Sequence, residues 1–496
     1  MAARLSRDLR ADAPERNAVA MMRLVASLQD GHTTLWPAEQ DAFTWWFPVR
    51  FHQFADSLAI TAADSGHADL PGARVLKIGG VDAAEAATRV AALSGADNAW
   101  GRRERTGLLS NAATLHALGL SDGHTLVLSV SGADGSRREV RLSARHTEWG
   151  DPAWIERGEM FGPPGIAVVT AFQGLAPLDY RRNLGTLPLQ LRNRIPIWFA
   201  WLPEDSTLYV QSNFVQDYRG TRFAAVADSL FAVADRAPVR RFILDLRYNS
   251  GGDGSKVLPF VHEIIRRPGL DQPGKLVLLL GPKTFSAAVL WWSSMREHTG
   301  VVTIGEPAGA ARNHSGDAGE VVLPRTGMIL QVSTLRHYGT RSDDTSRAEL
   351  PDFPVRMTAA DYFAGRDPAL DLARSPADLR SLPQIALAAG PAAARLEATR
   401  RRARFGDVPG WRLFDERAMN DAGYAALAAG RGSDAVQILE WNTEEYSRSG
   451  NVWDSYGETL LATGDTIQAV ASYRRAAELD PGNEHARDIV KRLGPK

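Results

Sequence analysis

Ser286 stands where two sequence patterns meet. Before it, Leu276–Leu280 is an unbroken apolar run of the kind that forms a buried strand. Gly281 and Pro282 interrupt that run. After it, residues 286–298 carry a helical pattern. A serine at such a strand-to-helix turn meets unpaired backbone N–H groups at the positive end of the helix dipole. That setting suits a nucleophile whose product is an oxyanion. It also suits a plain helix N-cap, for which Ser is a preferred residue. Three further features belong with Ser286: His32, the pair Gly251-Gly252, and an acid among residues 340–349. An imidazole, a serine hydroxyl, permissive glycines and a carboxylate are the parts of a nucleophilic hydrolase.

Competing chemistries lack their residues. No G-x-S-x-G elbow is present. His262-Glu263 lacks a second histidine, because position 266 is Arg. GLDQPGK at 269–275 has nucleotide-loop spacing, but Leu276 follows where Ser or Thr is needed, and the segment precedes its strand. The chain has no cysteine, which excludes disulfides, thiol catalysis and thiolate-bound metal. Its 496 residues predict two to four domains. An apolar fraction of 44%, a charged fraction of 23% and a net charge of −1 are ordinary for a soluble globular protein and favour no nucleic-acid or polybasic membrane partner. No run is long enough to span a membrane, and the first 29 residues carry no uninterrupted apolar signal region. The expected location is cytoplasmic for the chain as written, and exported if the native N-terminus is longer.

The elements that must position these residues follow in chain order. Val19, Met22, Leu24, Val25 and Leu28 recur at helical spacing over 17–29, and Asp30-Gly31 stops that helix. His32 then lies at the mouth of a loop. The aromatic residues Phe43, Trp45, Trp46, Phe47, Phe51 and Phe54 are expected in a core. Residues 47–145 read as a mixed β/α module, with a strand at 74–78, a helix entered at Asp82 and a hairpin turning at 132–135. A second hairpin turns at Pro203-Glu204-Asp205, and a helix covers 223–234. Over 240–305 the order is strand, helix, strand, helix, strand, which predicts a parallel β/α core. In such cores ligands sit at the carboxyl ends of strands, where Gly251-Gly252 and Ser286 lie.

Residues 375–410 are rich in Ala, Arg and Pro and read as a linker with a basic helix, Arg400-Arg401-Arg402 being a solvated face. From 411 onward Gly423 and Gly457, Leu427 and Leu461, Gly430 and Gly464, and Ala435 and Ala469 are each 34 apart. That period and a helix–turn–helix pattern match tetratricopeptide repeats, whose partner would be a protein.

The motifs resemble one family when taken in order. DLRYNSGG at 245–252 resembles a signature of the tail-specific, or C-terminal-processing, serine proteases, and TFSAA at 284–288 resembles their nucleophile turn. GEPAG at 305–309 resembles the segment closing their next strand, and the Pro351-Asp352 of LPDFPV their closing P-D. DGHT at 30–33 is similar to the helix-end motif of the tricorn-core and interphotoreceptor-retinoid-binding branch. The match covers roughly residues 17–374. It implies an α/β multidomain fold: an N-terminal helical segment (1–46), a PDZ-like inserted module (47–150), a crotonase-like protease core (151–374), a linker helix (375–410) and an all-α repeat tail (411–496).

The resemblance also implies roles. Members with a Ser–Lys dyad carry their lysine at the position of Ala311 here, and neighbouring Arg312 cannot act as a base. The tricorn-like branch uses the histidine of the DGHT-type motif, which makes His32 the general base and acid. It places the orienting carboxylate shortly before the P-D, so Asp344 is assigned, with Asp343 and Glu349 as rivals. The oxyanion donors are the N–H groups of Gly251 or Gly252 and of Ala287. His314 and His337 are alternative bases. No metal or cofactor is implied, and the substrate is a peptide or protein. The alternative is a non-catalytic ligand- or peptide-binding protein on the same scaffold. The missing lysine and the many tryptophans (Trp45, Trp46, Trp198, Trp201, Trp291, Trp292) support it, and it predicts Ser286 and His32 too far apart for a hydrogen bond and an apolar pocket in place of a cleft.

Overall fold

Two runs without a polar residue, at 242–244 and 276–280, form neighbouring strands buried on both faces. The computed structural model describes residues 13–37, 40–132, 134–146, 160–161 and 195–494. They fall into two compact units, Met1–Ala377 and Asp378–Lys496.

The core of the first unit is a six-stranded sheet. In chain order it comprises β1 (Ile197–Leu202), β2 (Thr207–Ser212), α1 (Phe223–Ala234), β3 (Arg241–Asp245), α2 (Val257–Ile265), β4 (Leu276–Leu280), α3 (Ala287–His298), β5 (Val302–Gly305) and β6 (Phe353–Pro354). The strands lie side by side in sequence order. β1 is antiparallel to β2, and the pairings from β2 to β6 are parallel. The helices are the crossovers that parallel strands require. Phe242 and Leu244 of β3 and Leu276 and Leu278 of β4 pack with Leu230, Phe231, Phe260, Ile264 and Trp291 of the helices. Trp291 and Trp292 are core residues, 0% and 2% exposed.

The module sheet contains Val49–Gln53, Leu58–Asp64, Arg74–Ile78, Thr125–Ser131 and Arg137–Ser143. Asp82 caps the helix Ala83–Ala91 by accepting N–H bonds from Ala84 and Glu85. Met160–Phe161 joins this sheet beside Leu58–Asp64, beyond the expected limit at 150. The N-terminal helix is Pro14–Ala26, and its Ala18, Val19 and Met22 lie in the same apolar cluster as the module core. Of the expected aromatic core, Phe43, Trp46, Phe47, Phe51 and Phe54 are buried.

The segment 375–410 differs from the expected linker. It holds two helices, Leu382–Ala389 and Pro391–Phe405, whose Leu382, Ile385, Ala394 and Ala398 share a core with Phe414, Met419 and Ala435. Arg401 turns inward, 7% exposed, and donates to the carbonyls of Asp378 and Arg380. The helices Glu416–Ala428, Gly432–Glu445, Gly450–Ala462 and Thr466–Leu479 form two antiparallel pairs, followed by Glu484–Leu493. The repeated glycines have a packing reason. A Cβ on Gly423 would lie 2.4 Å from Leu439, and one on Gly457 would lie 3.0 Å from Tyr473.

Candidate active site

Three parallel strands deliver their carboxyl ends to one place. Leu280 of β4 is in register with Gly305 of β5, and Asp245 of β3 with Leu279 of β4. The chain leaving β3 carries Asn249 to Gly252, and the chain leaving β4 carries Thr284 to Ala287. Their backbones join where the Phe285 N–H donates to the Asn249 carbonyl, 3.0 Å. Thr284 Oγ1 donates to the Leu246 carbonyl at 2.9 Å.

Ser286 occupies the N-cap position of α3 without capping it. Its φ of 54° and ψ of −125° lie outside the usual conformations of a non-glycine residue, and its side chain makes no cap hydrogen bond. The plain N-cap reading therefore fails. Strain of this kind costs on the order of 1–3 kcal/mol and clusters at functional sites. Gly251 lies directly against this serine. A Cβ there would sit 2.6 Å from Ser286 Cβ and 3.2 Å from its Oγ.

The two glycines divide their work. Gly251 has φ 112°, and its N–H is already given to Asn249 Oδ1 at 2.9 Å. Gly252 has φ 126° and packs on Val215, where a Cβ would lie 2.4 Å from the carbonyl oxygen. Among the described residues the N–H groups of Gly252 and Ala287 have no hydrogen-bond acceptor. Of the two expected glycine donors, Gly252 is the one left free.

Asn249 organises this turn, a role that the sequence motif contains but does not announce. It is fully buried and donates from Nδ2 to Ser212 Oγ at 2.9 Å, while its Oδ1 takes the Gly251 N–H. Beneath it, Arg247 binds Asp245 and Asp367 with bonds of 2.7 Å to each, and Tyr209 donates to Asp245 at 2.7 Å.

His32 reaches the site through a pairing with a remote segment. The strand that follows it, Thr34–Trp36, is antiparallel to Ile329–Val332, with Leu35 opposite Leu330. The Ser333 N–H donates to Thr33 Oγ1 at 3.1 Å. Asp30 holds the turn by accepting from the His32 N–H at 3.0 Å and from Thr33 Oγ1 at 2.6 Å. The imidazole stacks on Phe285, the residue before Ser286, with ring centres 4.3 Å apart. His314 lies parallel to it at 5.7 Å, and His337 follows at 5.4 Å from His314. The alternative bases thus line up behind His32. His314 is 1% exposed and donates from Nδ1 to the Ala311 carbonyl at 3.0 Å, while His337 is paired with Asp317 at 2.6 Å.

Both ring nitrogens of His32 are buried, with no hydrogen-bond partner among the described residues. The ring therefore makes no bond to Ser286, and none to an acid. Burial pushes its pKa down to about 4, with the neighbouring His314, Arg105 and His337 acting in the same direction and Asp30 against them. His314 is likewise lowered to about 4 by burial, with His337 adding to it.

The expected acid does not join this group. Asp344 accepts from the Ser346 N–H at 2.8 Å, closing its own turn. Asp343 is paired with Arg341 at 2.9 Å. Glu349 stands 3.6 Å from both Arg296 and Arg312, and burial raises its pKa. Local cations and turn amides take up these carboxylates before they can reach an imidazole. Arg312 donates to the Gly339 carbonyl at 2.9 Å and pairs with Glu297. Among the described residues, no group of three or more His, Asp or Glu side chains could hold a metal ion, and no helix is long and apolar enough to cross a membrane.

No protein-family model matches the sequence, and no curated protein matches it. Among solved structures, mature CPAF complexed with lactacystin is similar with a TM-score of 0.51 at 12% identity, over 74% of this chain and 89% of that one. A structure of mature CPAF gives 0.50 at 12% identity, over 75% and 89%. The likeness establishes a shared fold. The photosystem II D1 C-terminal processing protease overlaps at 0.32 and 14% identity, over 70% and 83%, too little to establish one.

Proposed function

We propose that the chain is a serine-type peptidase of the tail-specific, C-terminal-processing kind, in the branch whose base is a histidine upstream of the core. The observation that carries this reading is Ser286. It is a strained, non-capping serine at a helix N-terminus, next to two residues with unused N–H groups and one residue from a ring stacked on an imidazole. A structural serine needs none of these.

The chemistry follows from the groups present. Ser286 Oγ attacks the scissile carbonyl carbon while His32 takes its proton. The carbonyl oxygen becomes an oxyanion held by the N–H groups of Gly252 and Ala287. His32 returns the proton to the departing amine nitrogen as the C–N bond breaks, leaving an acyl-enzyme. Water, deprotonated by His32, then attacks the ester and releases the acid and Ser286. The Ser286–His32 bond forms with substrate, as catalytic bonds often tighten only in the Michaelis complex. Asp344 takes no part in this sequence. His32 is fixed by stacking and by its backbone, and the pair works as a dyad.

The module at the N-terminal side resembles a PDZ-like domain, and the paired helices with a 34-residue period support a tetratricopeptide-like tail that binds a protein partner. One observation favours the second reading, a non-catalytic binding protein: Ser286 and His32 are not hydrogen-bonded. A fluorophosphonate probe separates the two. The peptidase reading expects labelling of the wild type, and loss of both labelling and peptide turnover in Ser286→Ala. An unlabelled wild type, or turnover that survives in Ser286→Ala, would overturn it.

A further inference from the structure

The turn that carries His32 is held from outside, by two charged residues of the inserted module acting on the two peptide units that flank Gly31. Asp97 Oδ1 accepts the Gly31 N–H at 2.7 Å, and Arg105 Nη2 donates to the Gly31 carbonyl at 3.1 Å. Both polar groups of the glycine before His32 are therefore occupied by module side chains. There is no room for a side chain at Gly31. A Cβ on it would lie 2.6 Å from the Phe285 ring and 3.3 Å from Asp97 Oδ1.

The loop around Asp97 is wedged in backbone contact with the same turn. A Cβ on Gly95 would lie 2.1 Å from the Asp30 carbonyl oxygen and 2.2 Å from that of Thr33. Asn98 donates to the carbonyls of Ala308 and Arg347 at 2.9 and 3.0 Å. Arg347 donates to the Asp97 and Gln29 carbonyls at 2.6 and 2.7 Å. The loop is thereby fixed to the segment after β5 and to the end of the N-terminal helix. Asp97 is 7% exposed, and besides the Gly31 N–H the backbone of Ala311 bonds its carboxylate. A buried carboxylate is costly to desolvate, and here that cost is met by bonds to backbone N–H groups, of which the 2.7 Å bond to Gly31 holds the His32 turn.

We infer that Asp97 and Arg105 are positioning residues for His32, gripping the N–H and the carbonyl of Gly31 so that the imidazole is presented to Ser286 against Phe285. This rests on the peptidase reading for its kinetic consequence, but not for its geometric one. Displacing a base by about 1 Å costs on the order of 100-fold in rate. The effect acts on the reacting geometry and leaves ground-state binding alone.

The test uses the full chain and compares wild type with Asp97→Ala and Asp97→Asn, the second of which keeps an accepting oxygen. Two readouts are taken: the maximal rate and half-saturating concentration for fluorophosphonate labelling of Ser286, and the NMR titration of the ¹⁵N-labelled His32 imidazole, assigned with His32→Gln. Asp97→Ala is expected to lower the maximal labelling rate by about 10- to 100-fold with little change in half-saturation. By releasing the ring from its buried place, the largest cause of its low pKa, it should also move the His32 midpoint up, against the opposite pull of an Arg105 that has lost its carboxylate. Asp97→Asn should recover most of both. Arg105→Met, which frees the Gly31 carbonyl, should repeat the loss of labelling rate and serves if Asp97→Ala does not fold; its titration is left out of the comparison, because removing the Arg105 charge raises the His32 midpoint by itself. Unchanged labelling and titration in Asp97→Ala, or equal loss in Ala and Asn, would overturn the inference. An unlabelled wild type would sink the peptidase reading alone, and the titration would still decide the role of Asp97.

Discussion

The imidazole of His32 lies face to face with the ring of Phe285, centres 4.3 Å apart and planes 26° from parallel, and Phe285 is bonded directly to Ser286. The proposed base is thus registered to the proposed nucleophile through a ring contact and one peptide unit. Phe285→Ala is expected to leave His32 free to tilt and to lower kcat by about 10- to 100-fold, or about 1.4–2.7 kcal/mol of transition-state stabilisation. Phe285→Tyr, which keeps the ring, should retain most of the rate. Equal kcat in wild type and Phe285→Ala would show that the contact is packing only.

The pH dependence of activity follows from the burial of His32. Its pKa is lowered from 6.5 to about 4, and general-base catalysis needs the neutral ring. The acid limb of kcat/KM should therefore fall well below the ordinary histidine midpoint, with activity rising through the range near 4 and already level at pH 6.5. A limb centred at 6.5 would mean that another group is the base.

Stability should run with pH in the same window, for a different reason. His314 is buried and neutral, with a pKa of about 4 in the fold against 6.5 as the ordinary value. The unfolded chain then binds more protons than the folded one between those values, so stability rises with pH there. The contribution is fully present above 6.5 and is lost as pH falls toward 4. His314→Gln should flatten the fall of Tm with acid. An unchanged slope would argue that His314 is accessible and titrates normally.

The oxyanion donors can be separated from the nucleophile. Gly252→Ala would place a Cβ 2.4 Å from the Val215 carbonyl oxygen at a backbone φ of 126°. The expected shift of its N–H should cost about 100- to 1,000-fold in kcat. Binding of a peptide to the Ser286→Ala background should change little. A kcat within threefold of wild type would remove Gly252 from the site.

Arg247 supports the same turn from below. It neutralises Asp245, which is fully buried, and Asp367, which is 5% exposed. Arg247→Met leaves two carboxylates in the interior without their cation, and should cost about 3–5 kcal/mol by denaturant unfolding. A loss below about 1 kcal/mol would show that water or another cation already serves them.

The local elements were legible because their signals are local. Uninterrupted apolar runs gave the strands at 276–280 and near 242–246, and helical spacing, with the Ser286 turn as its start, gave α3. Asp82 as a helix cap and the hairpins at 125–143 and 197–212 follow from turn chemistry in the same way. The candidate serine and glycines were visible as a strand-to-helix turn and a Gly-Gly turn, but read locally they were a cap and a turn, and their proposed roles came from the ordered motifs. The proposal of His32 as base likewise rests on the ordered motifs.

What the chain's sequence could not decide is which distant groups meet. The acid was assigned by distance from the P-D, yet Asp344 bonds to its own turn and Glu349 is taken by two arginines. Asp97 and Arg105 carry no local sign of a role, since their partner is the backbone of Gly31, 66 and 74 residues away. The segment read as a linker helix is two helices packed into a core with Phe414, Met419 and Ala435, a contact that composition does not contain. Sequence spacing fixes side-chain types and local turns, where torsions and neighbours dominate. Pairings such as Leu35 with Leu330 bring His32 to Phe285 and Ser286, and these depend on burial and hydrogen bonds summed over the whole tertiary fold.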